Sequence, residues 1–101
     1  MKEYYYLNSS KMLVLAKRLQ GAEVKMLFAM MYCMSSAHSM LFINNKENRE
    51  RMKDIDFAKS PERISLLLSS LTKKGIIKRE FNGVYRLPED LFLLADKSEV
   101  K

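Results

Sequence analysis

The sequence predicts a mainly α-helical domain carrying a small β-hairpin, and three observations support that expectation. Apolar residues recur at helical spacing in several segments, most clearly at Ile64, Leu67, Leu68 and Leu71. Asn82-Gly83 separates two short β-prone runs, the strongest short-range hairpin signal. Only three Gly and two Pro occur in 101 residues, which argues against a many-turned all-β chain.

Taken in order, Tyr4-Tyr5-Tyr6-Leu7 is β-prone and reads as an edge strand or an arm covering residues 1–7. Asn8-Ser9-Ser10 offers capping side chains for a first helix with Met12, Leu15, Ala16 and Leu19 inward, and Gly21 is expected to end it. A second helix is expected from Glu23 to about Ser35. It carries Val24, Leu27, Phe28 and Met31 on one face and Met26, Met30 and Cys33 on the other, so it is apolar nearly all round.

A loop through His38 leads to a short strand, Met40 to Ile43. Asn44 and Glu47 have capping-box spacing and open a charged helix to about Asp56, with Met52 and Ile55 inward. Ser60-Pro61 is a helix start, a capping serine followed by proline at the first helical position, and Gly75 closes that helix. Ile76 to Phe81 and Val84 to Leu87 are the hairpin strands, and Pro88 is expected to open a final short helix through Leu94. Helix, helix, strand, helix, helix, hairpin, helix is the order of a winged helix-turn-helix. One domain over 1–101 is expected, with its core at about 11–94 and a flexible acidic tail at 95–101.

Composition removes several function classes. One cysteine, Cys33, and one histidine, His38, give neither a disulfide nor a Cys- or His-based metal site. The longest apolar stretch, Met26 to Met34, is too short to span a membrane, and no signal region opens the chain, so a cytoplasmic protein is expected. No glycine-rich phosphate loop supports nucleotide hydrolysis. Tyrosine-based strand cleavage needs metal ligands or basic groups around the phosphate, so Tyr4, Tyr5 and Tyr6 read as strand or interface residues. Neither an enzyme nor a cofactor-dependent protein is expected. Cys33 is expected to be buried and inert, and the eight methionines to fill an adaptable core.

The segment Ser60 to Arg79, ending Leu71-Thr72-Lys73-Lys74-Gly75-Ile76-Ile77-Lys78-Arg79, resembles the recognition helix and first wing strand of bacterial winged-helix proteins of the multiple-antibiotic-resistance-regulator type. Asn82-Gly83-Val84-Tyr85-Arg86-Leu87-Pro88-Glu89-Asp90-Leu91-Phe92 resembles the Gly-x-Tyr-x-Leu-x-Pro-x-x-Phe ending of the Firmicute-type plasmid replication initiators, which are also winged-helix DNA-binding proteins. Residues 12–94 are covered. Two departures are Leu66, where such helices usually carry a polar or basic residue, and one extra residue before Phe92.

The resemblance implies sequence-specific binding of double-stranded DNA at a plasmid-type replication origin. A net charge of +6 agrees with a polyanionic partner. The excess is concentrated in residues 46–86, which carry eleven basic and six acidic groups. Since a helix fits the major groove, a base contact is expected from Arg63, and contacts to bases or phosphates from Ser65 and Ser69. Phosphate contacts are expected from Lys73, Lys74, Lys78, Arg79, Arg86 and Arg49, with Asn82 entering a minor groove at the wing tip. One alternative is a small homodimeric transcriptional regulator, its interface made by Tyr4 to Tyr6 with Leu91, Phe92 and Leu94. Another is a protein-interaction winged helix, for which an exposed Leu66 is the argument. The replication or transcription machinery is the expected further partner.

Overall fold

A computed structural model of the chain describes residues 4–34, 39–57 and 59–95. The architecture is mainly helical, with a small three-stranded antiparallel sheet and a separate two-stranded ribbon. The elements run β1 (Tyr4–Leu7), α1 (Ser9–Arg18), α2 (Gly21–Cys33), β2 (Leu41–Ile43) and α3 (Lys46–Arg51). A 3-10 turn (Met52–Ile55), α4 (Pro61–Lys73), β3 (Lys78–Phe81), β4 (Val84–Arg86) and β5 (Phe92–Ala95) complete the order.

Asn8 caps α1 by accepting from the Lys11 backbone N–H, while its own amide donates to the Asp90 carbonyl at 3.0 Å. Gly21 does not close α1 as the sequence suggested; it is the first residue of α2. Leu19 and Gln20 are extended and break the helical path two residues earlier, and the Gln20 N–H then donates to Glu23 Oε1 at 2.8 Å.

The buried residues of α2 are Glu23, Met26, Leu27, Ala29, Met30 and Cys33. Phe28 keeps 45% and Tyr32 42% of its surface exposed. The face with Met26, Met30 and Cys33 therefore enters the core together with Leu27, while Phe28 and Tyr32 leave part of this apolar helix on the surface. Met12, Met26, Met30 and Met52 are all core residues.

Asn45, not Asn44, caps α3, its side chain accepting from the Asn48 N–H at 2.8 Å. Regular helix stops at Arg51 and tightens into the 3-10 turn, which Asp56 ends with φ 58°. That early tightening turns Ile55 outward, 39% exposed, while Met52 is fully buried. α4 matches its sequence signals. Ser60 Oγ accepts from the Arg63 N–H, Pro61 takes the first turn, and Ile64, Leu67, Leu68 and Leu71 are buried. Gly75, at φ 72°, ends it in a Schellman arrangement: the Ile76 N–H reaches Leu71 O and the Gly75 N–H reaches Thr72 O.

The sheet has the order β2-β4-β3, with Phe42 opposite Tyr85 and Arg79 opposite Tyr85 on the other side. An irregularity between Arg79 and Phe81 twists the hairpin. At its tip only Gly83 has positive φ, 80°, so the turn is not the type with two left-handed residues that Asn-Gly often forms.

The final helix expected after Pro88 is absent: Glu89 and Asp90 form a turn, and Phe92 to Leu94 enter β5. Asp90 adopts φ 62°, which stops a helix from starting there. The chain then pairs antiparallel with β1, from Leu7↔Phe92 to Tyr4↔Ala95. Leu91 is fully buried and Phe92 packs against the core, so neither belongs to an exposed apolar interface. Tyr6 is about half exposed. The side chains of Tyr4, Tyr5 and Leu94, together with His38 and the tail beyond Ala95, lie outside the described residues.

Candidate nucleic-acid interface

Because one stripe of α4 is buried, its other side is set by elimination. Pro61, Glu62, Arg63, Ser65, Leu66, Ser69 and Lys73 are all exposed. At about 1.5 Å per residue the helix is about 20 Å long, and its width matches a major groove. Arg63 stands in its first turn. Leu66, 62% exposed, breaks an otherwise polar surface.

The hairpin follows directly. Lys78, Arg79 and Asn82 are exposed, and Arg79 Nη2 donates to Asn82 Oδ1 at 2.8 Å. This bond holds the guanidinium over the turn. Phe81, 72% exposed, is the most open large apolar residue described. No ion pair among the described residues engages Arg63, Lys73, Lys78 or Arg79.

Three of the cations singled out from sequence are held within the protein. Lys74 Nζ donates to Glu23 Oε1 at 2.6 Å, and Glu23 is 97% buried in the sense that only 3% of its surface is exposed. The bonds from Lys74 and Ser70 outweigh burial and hold the Glu23 carboxyl at about 2, well below the usual range. Arg86 Nε donates to Glu80 Oε1 at 2.6 Å, which lowers the Glu80 carboxyl too. Arg49 Nη1 donates to Asn44 Oδ1 at 3.0 Å, the role Asn44 takes because Asn45 does the capping. Around them Arg51 lies 5.5 Å from the Tyr32 ring centre, and Lys53 pairs with Glu50. The charged helix α3 thus spends much of its charge on its own neighbours.

Cys33 is buried, its Sγ 3.4 Å from the Asn48 carbonyl oxygen, and burial pushes its thiol up. A thiol kept protonated is a poor nucleophile. No group of three or more His, Cys, Asp or Glu among the described residues is arranged to hold a metal ion. No helix among them is long and apolar enough to cross a membrane.

Sequence reasoning missed two cations on α1. Lys11 and Arg18 line one cleft with Lys78 and Arg86. The only sequence signal was their spacing of seven, which puts both on one side of a helix. Compared with known proteins, the chain matches no family model, no curated protein and no solved structure.

Proposed function

We propose that the chain is a winged-helix protein that binds double-stranded DNA without enzymatic activity. α4 would enter the major groove, and the β3–β4 hairpin would act as the wing. The helix order with a β2-β4-β3 sheet supports the fold reading. The observation that carries the function is the exposed, polar side of α4, continued by a hairpin whose exposed Lys78 and Arg79 form no close ion pair among the described residues. Lys and Arg placed this way neutralise phosphates and release counterions.

Four such cations, Arg63, Lys73, Lys78 and Arg79, set the expected scale. On random duplex DNA, log K should fall against log salt with a slope near −4, about −0.9 per phosphate. Absence of binding at low salt would sink the reading. Within it, the resemblance to plasmid replication initiators favours action at an origin. Footprinting on the replicon's origin and on the gene's own promoter separates that role from transcriptional regulation.

A second reading, protein docking, is favoured by the exposure of Leu66 on the same helix. Loss of a partner's binding in Leu66→Ala, with DNA affinity unchanged in Arg63→Ala and Arg79→Ala, would select it.

A further inference from the structure

A cleft of about 320 Å³ lies between α1 and the two segments that flank the base of the hairpin. Its rim carries Lys11 and Arg18 from α1, Lys78 at the start of β3, and Arg86 at the end of β4. Leu15, Ile76, Ile77 and Leu87 are buried side chains on its lining, and none of them donates or accepts. Glu89 is the one carboxylate on the lining, at an exposed position.

Both guanidiniums are oriented by a single bond each. Arg18 Nη2 donates to the Lys74 carbonyl at 3.2 Å, which also offsets the negative end of α4. Arg86 uses only Nε on Glu80, and no hydrogen bond among the described residues uses its two terminal nitrogens. Among the described residues, no other hydrogen bond uses the remaining N–H groups of either fork. A fixed guanidinium fork matches the oxygens of a phosphate, and lysine adds a compact charge beside it. The four cationic residues on the lining outnumber the two carboxylates beside them, Glu89 on the same lining and Glu80 on Arg86, so a bound anion would balance the excess. The buried Leu15, Ile76, Ile77 and Leu87 beneath them make that part of the wall poorly polarisable, which strengthens the attraction for an anion resting there.

We propose that this cleft is a phosphate-binding site, with Arg18 and Arg86 as oriented donors and Lys11 and Lys78 as flanking charges. The phosphate is either part of a nucleic-acid backbone or part of a free phosphorylated compound. The site does not depend on α4 reading DNA, since Lys11 and Arg18 belong to another element.

The test uses inorganic pyrophosphate and a short random-sequence DNA duplex, with backbone amide shifts of the whole chain as the readout. Pyrophosphate at low ionic strength should give saturable shifts in Gly75 to Lys78 and at Leu87. Lys11→Gln with Arg18→Gln should weaken that binding about ten-fold or more. Both residues are surface cations, and unshifted amides elsewhere confirm that the variant is folded. Lys11→Gln alone gives a milder second variant.

No saturable shift in the unmodified protein, or equal affinity in the double variant, overturns the proposal. A duplex that reproduces the shifts, and whose salt slope falls by about two in the double variant, assigns the phosphate to the DNA backbone. A duplex that leaves them unmoved while pyrophosphate still binds assigns it to a free compound. Failure of duplex binding altogether would remove the DNA reading and leave the pyrophosphate result standing.

Discussion

Lys74 fastens the C-terminal end of α4 to the first turn of α2, its Nζ donating to Glu23 Oε1 at 2.6 Å. Ser70 Oγ donates to the other oxygen of the same carboxylate. Glu23 also accepts from the Gln20 N–H that begins α2. One buried carboxylate therefore caps one helix and sets the seating of the other. The exposed side of α4 owes its orientation in part to this contact.

Acid should release it. The Glu23 carboxyl lies at about 2 in the folded protein, below its ordinary 4.5. A lowered value means that the contribution is full above about 4.5 and is lost as pH falls toward 2. Glu23→Gln should therefore cost about 1–3 kcal/mol at pH 7, and the gap should close on acidification. Urea midpoints at pH 7, 4 and 2.5 read this out. A gap independent of pH would show that the charge contributes nothing.

Arg63 and Arg79 should behave differently toward DNA. Arg63→Ala is expected to cost about 1–3 kcal/mol on a preferred site and to relax preference at one position. Arg79→Ala should weaken all sequences alike and reduce the salt slope by about one unit. Fluorescence anisotropy on specific and random duplexes at several salt concentrations distinguishes the two patterns.

Gly75→Ala should destabilise the fold by about 1–2 kcal/mol, because an L-residue resists the left-handed region. A Cβ there meets nothing within 4 Å, so the cost is conformational and not a clash. Thermal unfolding of the variant measures it. A loss much above that range would point to a packed contact the geometry does not contain.

Leu91→Ala should remove about 2–5 kcal/mol by leaving a core cavity. Leu91 belongs to the surface that the alternative homodimer reading would use, and its full burial within the chain removes it from that surface. Denaturant unfolding should show the loss at every protein concentration. A loss seen only at high concentration would instead indicate an interface.

The contrast between α4 and β5 shows where sequence stops being legible. Ser60-Pro61, the apolar stripe and Gly75 are local signals, and each acts within its own helix. Pro88-Glu89-Asp90 looks as good a start, yet Phe92 to Ala95 become a strand because Tyr4 to Leu7, more than 80 positions away, supply the pairing groups. The site divides in the same way. Exposure of Arg63, Ser65, Ser69 and Lys73 follows from helix period. Capture of Lys74 by Glu23 and of Arg86 by Glu80 depends on distant neighbours or strand register, which composition does not reveal. Asn44 and Asn45 are adjacent residues with the same side chain, and only the backbone decides which one caps.

The ribbon formed by β1 and β5 also fixes how the domain would respond to tension. Tyr4 and Ala95 are its outermost described pair, so a pull applied there acts across the strands and not along them. The ribbon would open like a zipper, breaking backbone bonds of about 1 kcal/mol each in succession rather than together. The three-stranded sheet and the helices would carry load only after Leu7 and Phe92 had parted. Mechanical strain would therefore be absorbed first at the ribbon, with α4 and the hairpin still in place.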